Sequence, residues 1–249
     1  MDRPVHPRVR EWSRRPAAAV AARLIRLLLA CAPGLAAAAT QPFPAPLRFD
    51  SFGIAEGLSQ GSATALAEDT RGFLWVGTLD GLNRFDGYEF RRFRADPSDP
   101  AALDDGSITA LAAHPDGTLW VGTMHGGLAL YDPARDTFTT VGPREAPGTT
   151  PDRVTALAVD ETGTVWVGMG GLGRVSADNS GAPRLERLDR RPVASLAVAG
   201  DGRVWVGRGD GRLEAFRSAD PARADLAVAP FGDARAIRAI APTRDGGLW

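Results

Sequence analysis

The sequence predicts an all-β fold in which one four-stranded unit is repeated along the chain, and three observations support this prediction. The tripeptide Trp-Val-Gly occurs four times, and a fifth tryptophan follows at a similar interval. Asp-Gly and Gly-Gly turn signals separate short apolar and β-branched runs. Helical periodicity is absent after residue 40. A repeat of this length indicates an array of small structural units. The repeated tryptophans are Trp75, Trp120, Trp166, Trp205 and Trp249.

The first forty residues have the pattern of an export signal. Residues 1–16 are rich in arginine, residues 27–39 carry no charge, and this apolar stretch ends in a run of alanines that includes residues 37–39. A basic start, a short apolar region and small residues at the end are typical of a signal peptide. We therefore predict a signal peptide over residues 1–39, with an uncleaved N-terminal anchor as the alternative. Residues 40–46 are rich in proline and are predicted to form an extended linker.

Residues 47–249 are predicted to form the folded body, and each unit of it begins with a short strand before the tryptophan. An Asp-Gly or similar turn leads to the second strand, which carries Trp-Val-Gly, and a further glycine turn leads to the third strand. A fourth strand is predicted in the two clearest units, at 88–93 and 137–141. The third unit is predicted to lack a regular fourth strand, because residues 176–183 have a loop-like composition. The predicted first strands are 62–67, 108–112, 154–159 and 193–198, and the predicted third strands are 82–85, 128–131 and 213–216.

Four strands within roughly 43 residues are typical of one blade of a β-propeller. The tryptophan is then expected to fill the gap between neighbouring blades, as a large aromatic side chain can. The glycine two residues later is expected to permit close backbone approach. Five aspartates precede the turn glycine by one or three residues, namely Asp69, Asp116, Asp160, Asp201 and Asp245. Asp69, Asp116 and Asp201 are expected to cap their own turns.

The composition argues against several classes of function. All 29 basic residues are arginine, and the part of the chain after residue 39 has more acidic than basic residues. A nucleic-acid-binding protein is expected to carry a basic surface, so nucleic acid is not predicted as a partner. Cys31 is the one cysteine and the three histidines form no cluster, so no metal site, cofactor or catalytic thiol is expected.

The first unit resembles a known family. Residues 72–82 read Gly-Phe-Leu-Trp-Val-Gly-Thr-Leu-Asp-Gly-Leu, and the pattern Gly-x-x-Trp-Val-Gly-Thr…Gly-Leu within it recurs in register further along. This pattern resembles the two-component regulator propeller repeat, which builds the exported input region of bacterial receptors. The later units depart from the pattern, because Met169 and Arg208 stand where the first two units have Thr78 and Thr123.

The resemblance implies a larger protein than this chain. Propellers of this family commonly have seven blades, whereas residues 47–249 hold four to five units, so an incomplete, C-terminally truncated propeller of the seven-bladed type is expected. In the family, a β-sandwich, a membrane helix and a cytoplasmic histidine kinase or diguanylate cyclase usually follow. This chain is accordingly expected not to be an enzyme itself, and to contact the membrane only through downstream segments.

A ligand is expected at the loops that join the second and third strands, on the same face as the long connections 94–105 and 142–152. The side chains predicted there are Asp80, His125, Arg208 and Asp210. The predicted function is that of a periplasmic sensor for a small molecule or glycan, which acts as a homodimer in the full-length receptor. The alternatives are a propeller enzyme (a lyase or a quinone-dependent dehydrogenase) and a secreted protein-interaction platform.

Overall fold

The computed structural model describes residues 49–96, 98–142, 153–177, 181–217, 220–228, 235–243 and 245–249. The predicted signal peptide and linker, and most of the connection 142–152, lie outside these ranges. All regular structure within the ranges is β-strand, arranged as four antiparallel sheets of four strands each. Nowhere in this part of the chain is there a helix with the length and apolar character needed to cross a membrane.

The first two sheets, blade 1 and blade 2, are meanders in which each strand pairs with the next along the chain. The strands of blade 1 are β1 (Ala65–Glu68), β2 (Leu74–Thr78), β3 (Gly81–Phe85) and β4 (Phe90–Phe93). The strands of blade 2 are β5 (Ile108–Ala113), β6 (Leu119–Thr123), β7 (Leu128–Asp132) and β8 (Thr137–Val141). The predicted first, second, third and fourth strands of these units are confirmed.

The third sheet, blade 3, corrects one prediction, because it has a fourth strand. Its strands are β9 (Val154–Val159), β10 (Val165–Met169), β11 (Leu172–Ala177) and β12 (Pro183–Arg187). The outer strand β12 pairs in regular register with β11, with Val175 opposite Leu185. Leu185 packs towards the core while its neighbours Arg184 and Glu186 are exposed. One inward apolar side chain is enough to hold an outer strand against the core. A proline is tolerated at the start of such a strand.

The fourth sheet, blade 4, consists of β13 (Val193–Val198), β14 (Arg203–Arg208), β15 (Leu213–Arg217) and β16 (Asp220–Val228). The first hairpin of a fifth unit follows it. Ala241 and Trp249 exchange two backbone hydrogen bonds of 3.0 Å each. Trp75 lies opposite Ala67 in the same way in blade 1. The fifth repeat predicted from the tryptophan spacing is therefore present as a paired segment.

The core consists of clusters that lie between neighbouring blades. Trp75 of blade 1 packs against Tyr131 of blade 2, with ring centroids 5.0 Å apart, and both side chains are almost fully buried. Trp120 shares a cluster with Val165 of blade 3, and Trp166 shares one with Phe216 of blade 4. The prediction that the tryptophans fill the gaps between blades is confirmed for these three.

The glycine of each Trp-Val-Gly lies against the inner strand of the next blade. A Cβ atom on Gly77 would be 2.6 Å from Cγ2 of Ile108, and one on Gly122 would be 2.4 Å from Cγ1 of Val154. Both distances are too short for a methyl group, so only glycine allows the blades to pack this closely. A close approach is therefore present at these glycines, and it is made by a side chain of the next blade rather than by its backbone.

We expect Gly122→Ala to destabilise the chain by about 2 kcal/mol, because blade 3 must move to make room for the methyl group. Chemical denaturation of the original chain and of Gly122→Ala measures the difference in free energy of unfolding. Gly200→Ala is the matched control, because nothing lies within 4 Å of a Cβ atom there. Equal stability of the Gly122 and Gly200 variants would contradict the assigned role of Gly122.

A second contact between blades was not predicted. A hydroxyl group near the start of each inner strand donates a hydrogen bond to a carbonyl oxygen at the start of the next blade or unit. The donor–acceptor pairs are Thr64 with Ile108, Thr109 with Val154, Thr155 with Val193 and Ser195 with Ile237, at 2.6–2.7 Å. We call these four bonds the hydroxyl ties.

Candidate ligand-binding site

The turns between second and third strands lie beside the connections that enter each blade, as predicted. In blade 1 the Ser59 amide donates to Oδ1 of Asn83 at 2.9 Å, and the Ser59 hydroxyl is 2.8 Å from Oγ1 of Thr78. Between blades 1 and 2, the Gly81 amide donates to the carbonyl of Gly106 at 2.8 Å. Each of these bonds holds an entering segment against a turn, so this face is a continuous surface of loops.

Asp80 and His125 are both exposed on this face. The amide of Asp80 donates to Oγ1 of Thr78 at 3.1 Å, which is a bond within its own turn. The amide of His125 donates to Oδ2 of Asp105 at 2.7 Å, and its ring Nδ1 lies 3.6 Å from the same oxygen. The backbone of each residue is therefore fixed, and neither side chain lines the two cavities described below.

The structure corrects the position expected for Arg208, which was predicted as a turn side chain available to a ligand. The Arg208 side chain is only 2% exposed. Its guanidinium makes five hydrogen bonds, two to Glu214, two to Asp189 and one to the carbonyl of Arg191. An arginine has five N–H donors, so none remains for a ligand. Arg208 is therefore a buried residue with a structural role. The arginine of this group of side chains that is exposed to solvent is Arg191.

Arg191 lies in the connection between blades 3 and 4 and its side chain is 50% exposed. It donates to both oxygens of Glu214 and, at 3.1 Å, to Oδ2 of Asp189. The bond to Glu214 is the main reason why the pKa of Arg191 is raised above its ordinary value. Arg191, Arg208, Asp189 and Glu214 form a group of two positive and two negative charges, which we call the arginine cluster.

Asp189 joins the arginine cluster to the backbone of blade 3. Its Oδ1 accepts the amides of Leu172 at 3.1 Å and of Arg191 at 3.0 Å. Burial acts to raise the pKa of this carboxyl, but the hydrogen bond from Arg208 and the Leu172 amide outweigh it, and the pKa lies below its ordinary value. Asp189 is therefore ionised at neutral pH and matches the charge of its arginine partners.

Arg191 forms part of the wall of two cavities. Their volumes are about 410 Å³ and 340 Å³, which lie within the range of pockets that bind small molecules. The larger one is lined by Leu172, Arg174, Glu186, Leu188, Asp189, Arg191 and Phe216. The smaller one is lined by Arg191, Pro192, Arg208, Gly209 and Asp210. Of the four predicted site residues, the structure therefore brings Arg208 and Asp210 to one site.

The larger cavity offers both donors and acceptors above an apolar base. Nε of Arg174 donates to Oε2 of Glu186 at 2.8 Å, and both side chains are partly exposed. Leu172 and Phe216, which line the same cavity, are buried. Sequence reasoning missed Arg174, Glu186, Asp189 and Arg191. The one available signal was Arg208 at a position where the first two units have threonine, because a buried arginine requires carboxylates near it.

The opposite face carries turns in which aspartate binds tryptophan. Oδ2 of Asp69 accepts the indole N–H of Trp75, and Oδ2 of Asp160 accepts that of Trp166, both at 2.9 Å. Burial acts to raise the pKa of Asp69, but the bond from Trp75 and the turn amides lower it below its ordinary value. Asp69 and Asp160 also accept amides of their own turns, which confirms the capping role predicted for Asp69.

Blade 2 lacks this bond because His114 stands where blades 1 and 3 have aspartate. Its Nε2 lies 2.9 Å from the carbonyl oxygen of Gly163 in blade 3, and its Nδ1 lies 2.8 Å from Oδ1 of Asp116. The indole nitrogen of Trp120 is buried and has no hydrogen-bond partner among the described residues. One of the tryptophans between blades therefore has an unsatisfied donor.

Comparison with known proteins gives a family match for two segments of the chain. Residues 57–80 and 102–125 match the family model described as two component regulator propeller. A protein named Histidine kinase P4, from Formosa agariphila, is 47% identical over 55 residues, which are 22% of this chain and 4% of that protein. The resemblance predicted from the repeat is confirmed in these segments.

Solved structures share the fold. The extracellular domain of a hybrid two component system from B. thetaiotaomicron has a TM-score of 0.65 at 21% identity, covering 80% of this chain and 28% of that one. The extracellular domain of a one component system from the same organism has a TM-score of 0.60 at 21% identity, covering 76% and 26%. Virginiamycin B lyase from Staphylococcus aureus has a TM-score of 0.56 at 12% identity, covering 75% and 62%. The β-propeller prediction is confirmed, and this chain spans little more than a quarter of the first two structures.

Proposed function

We propose that this chain, which carries two component regulator propeller repeats, is the ligand-sensing input region of a bacterial signalling receptor. The observation that carries the proposal is the family match at residues 57–80 and 102–125. The local identity to a histidine kinase supports it. This chain would then detect a ligand and catalyse nothing itself, while a histidine kinase or diguanylate cyclase elsewhere in the receptor would provide the output.

The proposal places residues 50–249 outside the inner membrane, in the periplasm. It is supported by the basic and then apolar pattern of residues 1–39. The two structures from B. thetaiotaomicron, which are extracellular domains, are consistent with it.

We place the ligand, a small molecule or a glycan, in the cavities beside Arg191. Arg191 and Asp189 lie on the connection between blades, while Glu214 and Arg208 belong to blade 4. A ligand that engages Arg191 would thus contact the junction of two blades and favour one arrangement of them. The ligand would then bind one arrangement of the blades more tightly than the other. A difference in affinity between two states is what allows a ligand to shift the conformational equilibrium of a receptor dimer.

The test of the receptor proposal is to read the gene on the 3′ side of the codon for Trp249. We expect an open reading frame that encodes further repeats, a membrane-spanning helix and a kinase or cyclase. A neighbouring sequence without a membrane helix and without an output domain would refute the receptor proposal.

The test of the site is a thermal-shift screen of the chain with mono- and disaccharides and amino acids. For any compound that raises the melting temperature, we expect Arg191→Ala to weaken binding about tenfold, or about 1.4 kcal/mol, by calorimetry. Arg135→Ala is the matched control, since Arg135 is 79% exposed and lies in blade 2. Equal affinity of the Arg191 and Arg135 variants would exclude the cavities beside Arg191 as the site.

A further inference from the structure

We propose that residues 50–52 are the fourth strand of a composite blade, whose first three strands come from a repeat unit elsewhere in the same polypeptide. The free face of blade 1 is then an interaction surface for that unit. The source of the partner rests on the receptor function proposed above, whereas the surface itself rests on the contacts of Phe52.

The first step is the equivalence of two aromatic pairs. In blade 1, Phe85 of β3 lies opposite Phe90 of β4, and in blade 2, Tyr131 of β7 lies opposite Phe138 of β8. Phe85 and Tyr131 each also lie opposite the leucine that immediately precedes the tryptophan of its blade. The two pairs therefore occupy the same place in successive blades.

The second step is the side chain that packs on each pair. The pair in blade 2 is contacted by Phe93 from the fourth strand of blade 1, whose ring centroid is 5.6 Å from each of the two rings. The pair in blade 1 is contacted by Phe52, whose ring centroid is 5.1 Å from that of Phe85 and 6.1 Å from that of Phe90. Phe52 thus contacts blade 1 as a residue on the fourth strand of a preceding blade would.

The third step is the sequence around Phe52. Residues 49–52 read Phe-Asp-Ser-Phe, and β4 reads Phe-Arg-Arg-Phe. A buried leucine follows each of these segments, and each leucine stands 17 residues before the tryptophan of the next blade. These leucines are Leu58 and Leu103. The sequence of a fourth strand and of the connection into a blade is therefore present before blade 1.

The fourth step is the part of the face of blade 1 that Phe52 leaves exposed. Leu119 of blade 2 is 1% exposed and shares a cluster with Trp75, whereas Leu74, at the equivalent position of blade 1, is 38% exposed. Leu66 is 62% exposed, while the equivalent Leu111 packs against the same cluster. Of the ring contacts among the described residues, none brings a tryptophan to this face of blade 1. The partner must therefore supply a tryptophan.

The fifth step is the backbone before Phe52. The amides of residues 50–52 donate to no carbonyl oxygen in the described part of the chain, and these residues belong to no regular strand there. Phe93, by contrast, lies opposite Leu82 of a third strand. A segment with unpaired backbone groups can add to the edge of a sheet as a further strand. The partner must therefore also supply a third strand.

These two requirements describe one more repeat unit, which has Trp-Val-Gly and three strands but no fourth strand of its own. Residues 1–48 contain no Trp-Val-Gly. The tryptophans of blades 1, 2 and 3 already pack against the blade that follows them. We therefore place the partner after Trp249 in the receptor polypeptide, as its last repeat unit.

The test is hydrogen–deuterium exchange, measured by mass spectrometry, on the complete gene product and on the 249-residue chain. We expect residues 50–52 to exchange at least about tenfold more slowly in the complete protein, because pairing with a third strand protects their amides. The matched control is β4, which pairs with β3 in both proteins and should exchange equally in them.

A substitution in the complete protein tests the role of Phe52 itself. Phe52→Ala should raise the exchange rate of the third strand of the last unit, because the fourth strand loses its contact with blade 1. Tyr88→Ala should leave this rate unchanged, since the side chain of Tyr88 is 95% exposed.

Two results would overturn the composite blade. One is a reading frame that encodes no Trp-Val-Gly unit after Trp249, or whose last unit has its own fourth strand. The other is equal exchange of residues 50–52 in the two proteins. The receptor proposal is tested separately: a frame with further repeats but without a membrane helix and an output domain would refute it, while exchange at residues 50–52 would still test the composite blade.

Discussion

Arg208→Met is expected to destabilise the chain by about 3 kcal/mol, because it leaves a buried carboxylate without one of its two arginine partners. Glu214 is only 5% exposed and receives two of the five hydrogen bonds of Arg208. Asp189 loses both of its bonds to the guanidinium, although Arg191 still contacts each carboxylate. Urea denaturation of the variant and the original chain, with the slopes compared, measures the change in free energy of unfolding.

Arg212→Met is the control for Arg208→Met. Arg212 is four residues further along the same hairpin, is 55% exposed, and lies 3.6 Å from Asp210. An exposed ion pair of this kind contributes about 0–1 kcal/mol. If the free energy of unfolding fell by the same small amount in both variants, the buried arginine cluster would have no special role in stability.

The loss at Arg208 should also depend on pH. The pKa of Asp189 is lowered in the folded chain, so its contribution to stability is complete above the ordinary carboxyl pKa of about 3.9 and is lost as the pH falls through the folded value. In Arg208→Met this pKa returns towards its ordinary value. The difference in stability between the two proteins should therefore shrink on acidification below about pH 4.

The second large effect is expected for Asp160→Ala, which should cost about 3 kcal/mol. Asp160 is 3% exposed, and its carboxylate accepts the amides of Thr162 and Thr164 and the indole N–H of Trp166, each at 2.9 Å. Removing it leaves a fully buried indole donor and two turn amides without their acceptor. Thermal unfolding by circular dichroism measures the change.

The matched substitution for Asp160→Ala is Asp201→Ala in the corresponding turn of blade 4. The side chain of Asp201 is 49% exposed and it accepts the amide of Arg203 at 3.1 Å, so we expect a loss below about 1 kcal/mol. An Asp160 variant as stable as the Asp201 variant would show that the bond to Trp166 contributes little.

Asp160 and Asp201 differ in their spacing from the turn glycine, and this difference was visible in the sequence. Its structural consequence could not be predicted from the sequence. Asp69 and Asp160 stand three residues before the turn glycine and reach the indole, while Asp116 and Asp201 stand one residue before it and contact their own turns. The spacing between aspartate and glycine therefore distinguished the aspartates that bind tryptophan from those that do not, and the hydrogen bond to the indole gives the reason for the spacing.

The blades themselves were predictable because their signals are local. Trp-Val-Gly sets the register of the second strand, and Asp-Gly turns mark its neighbours. The outer strand of blade 3 was not predictable in this way. Pro183–Arg187 faces solvent on one side and directs one leucine inwards. A strand at the edge of a sheet needs little apolar sequence, so its composition resembles that of a loop.

The candidate site was less predictable than the fold because its contacts are distant in sequence. Arg208 meets Asp189 across 19 residues, and no local pattern links them. Position in a turn predicted that Arg208 would be accessible, whereas its partners bury it. For Asp80 and His125 the expected exposure is confirmed, but a ligand at either of them stays a prediction.

The hydroxyl ties give the array a direction that bears on how such chains change in evolution. Each of the four blades supplies a hydroxyl to the blade or unit that follows it, and blades 2, 3 and 4 each supply a carbonyl oxygen to the blade before, so these three blades have the same pair of complementary edges. Duplicating or deleting one whole repeat joins a donor edge to an acceptor edge as before. A gain or loss of part of a repeat leaves two edges that do not match. The number of blades can therefore change in whole steps without a new interface.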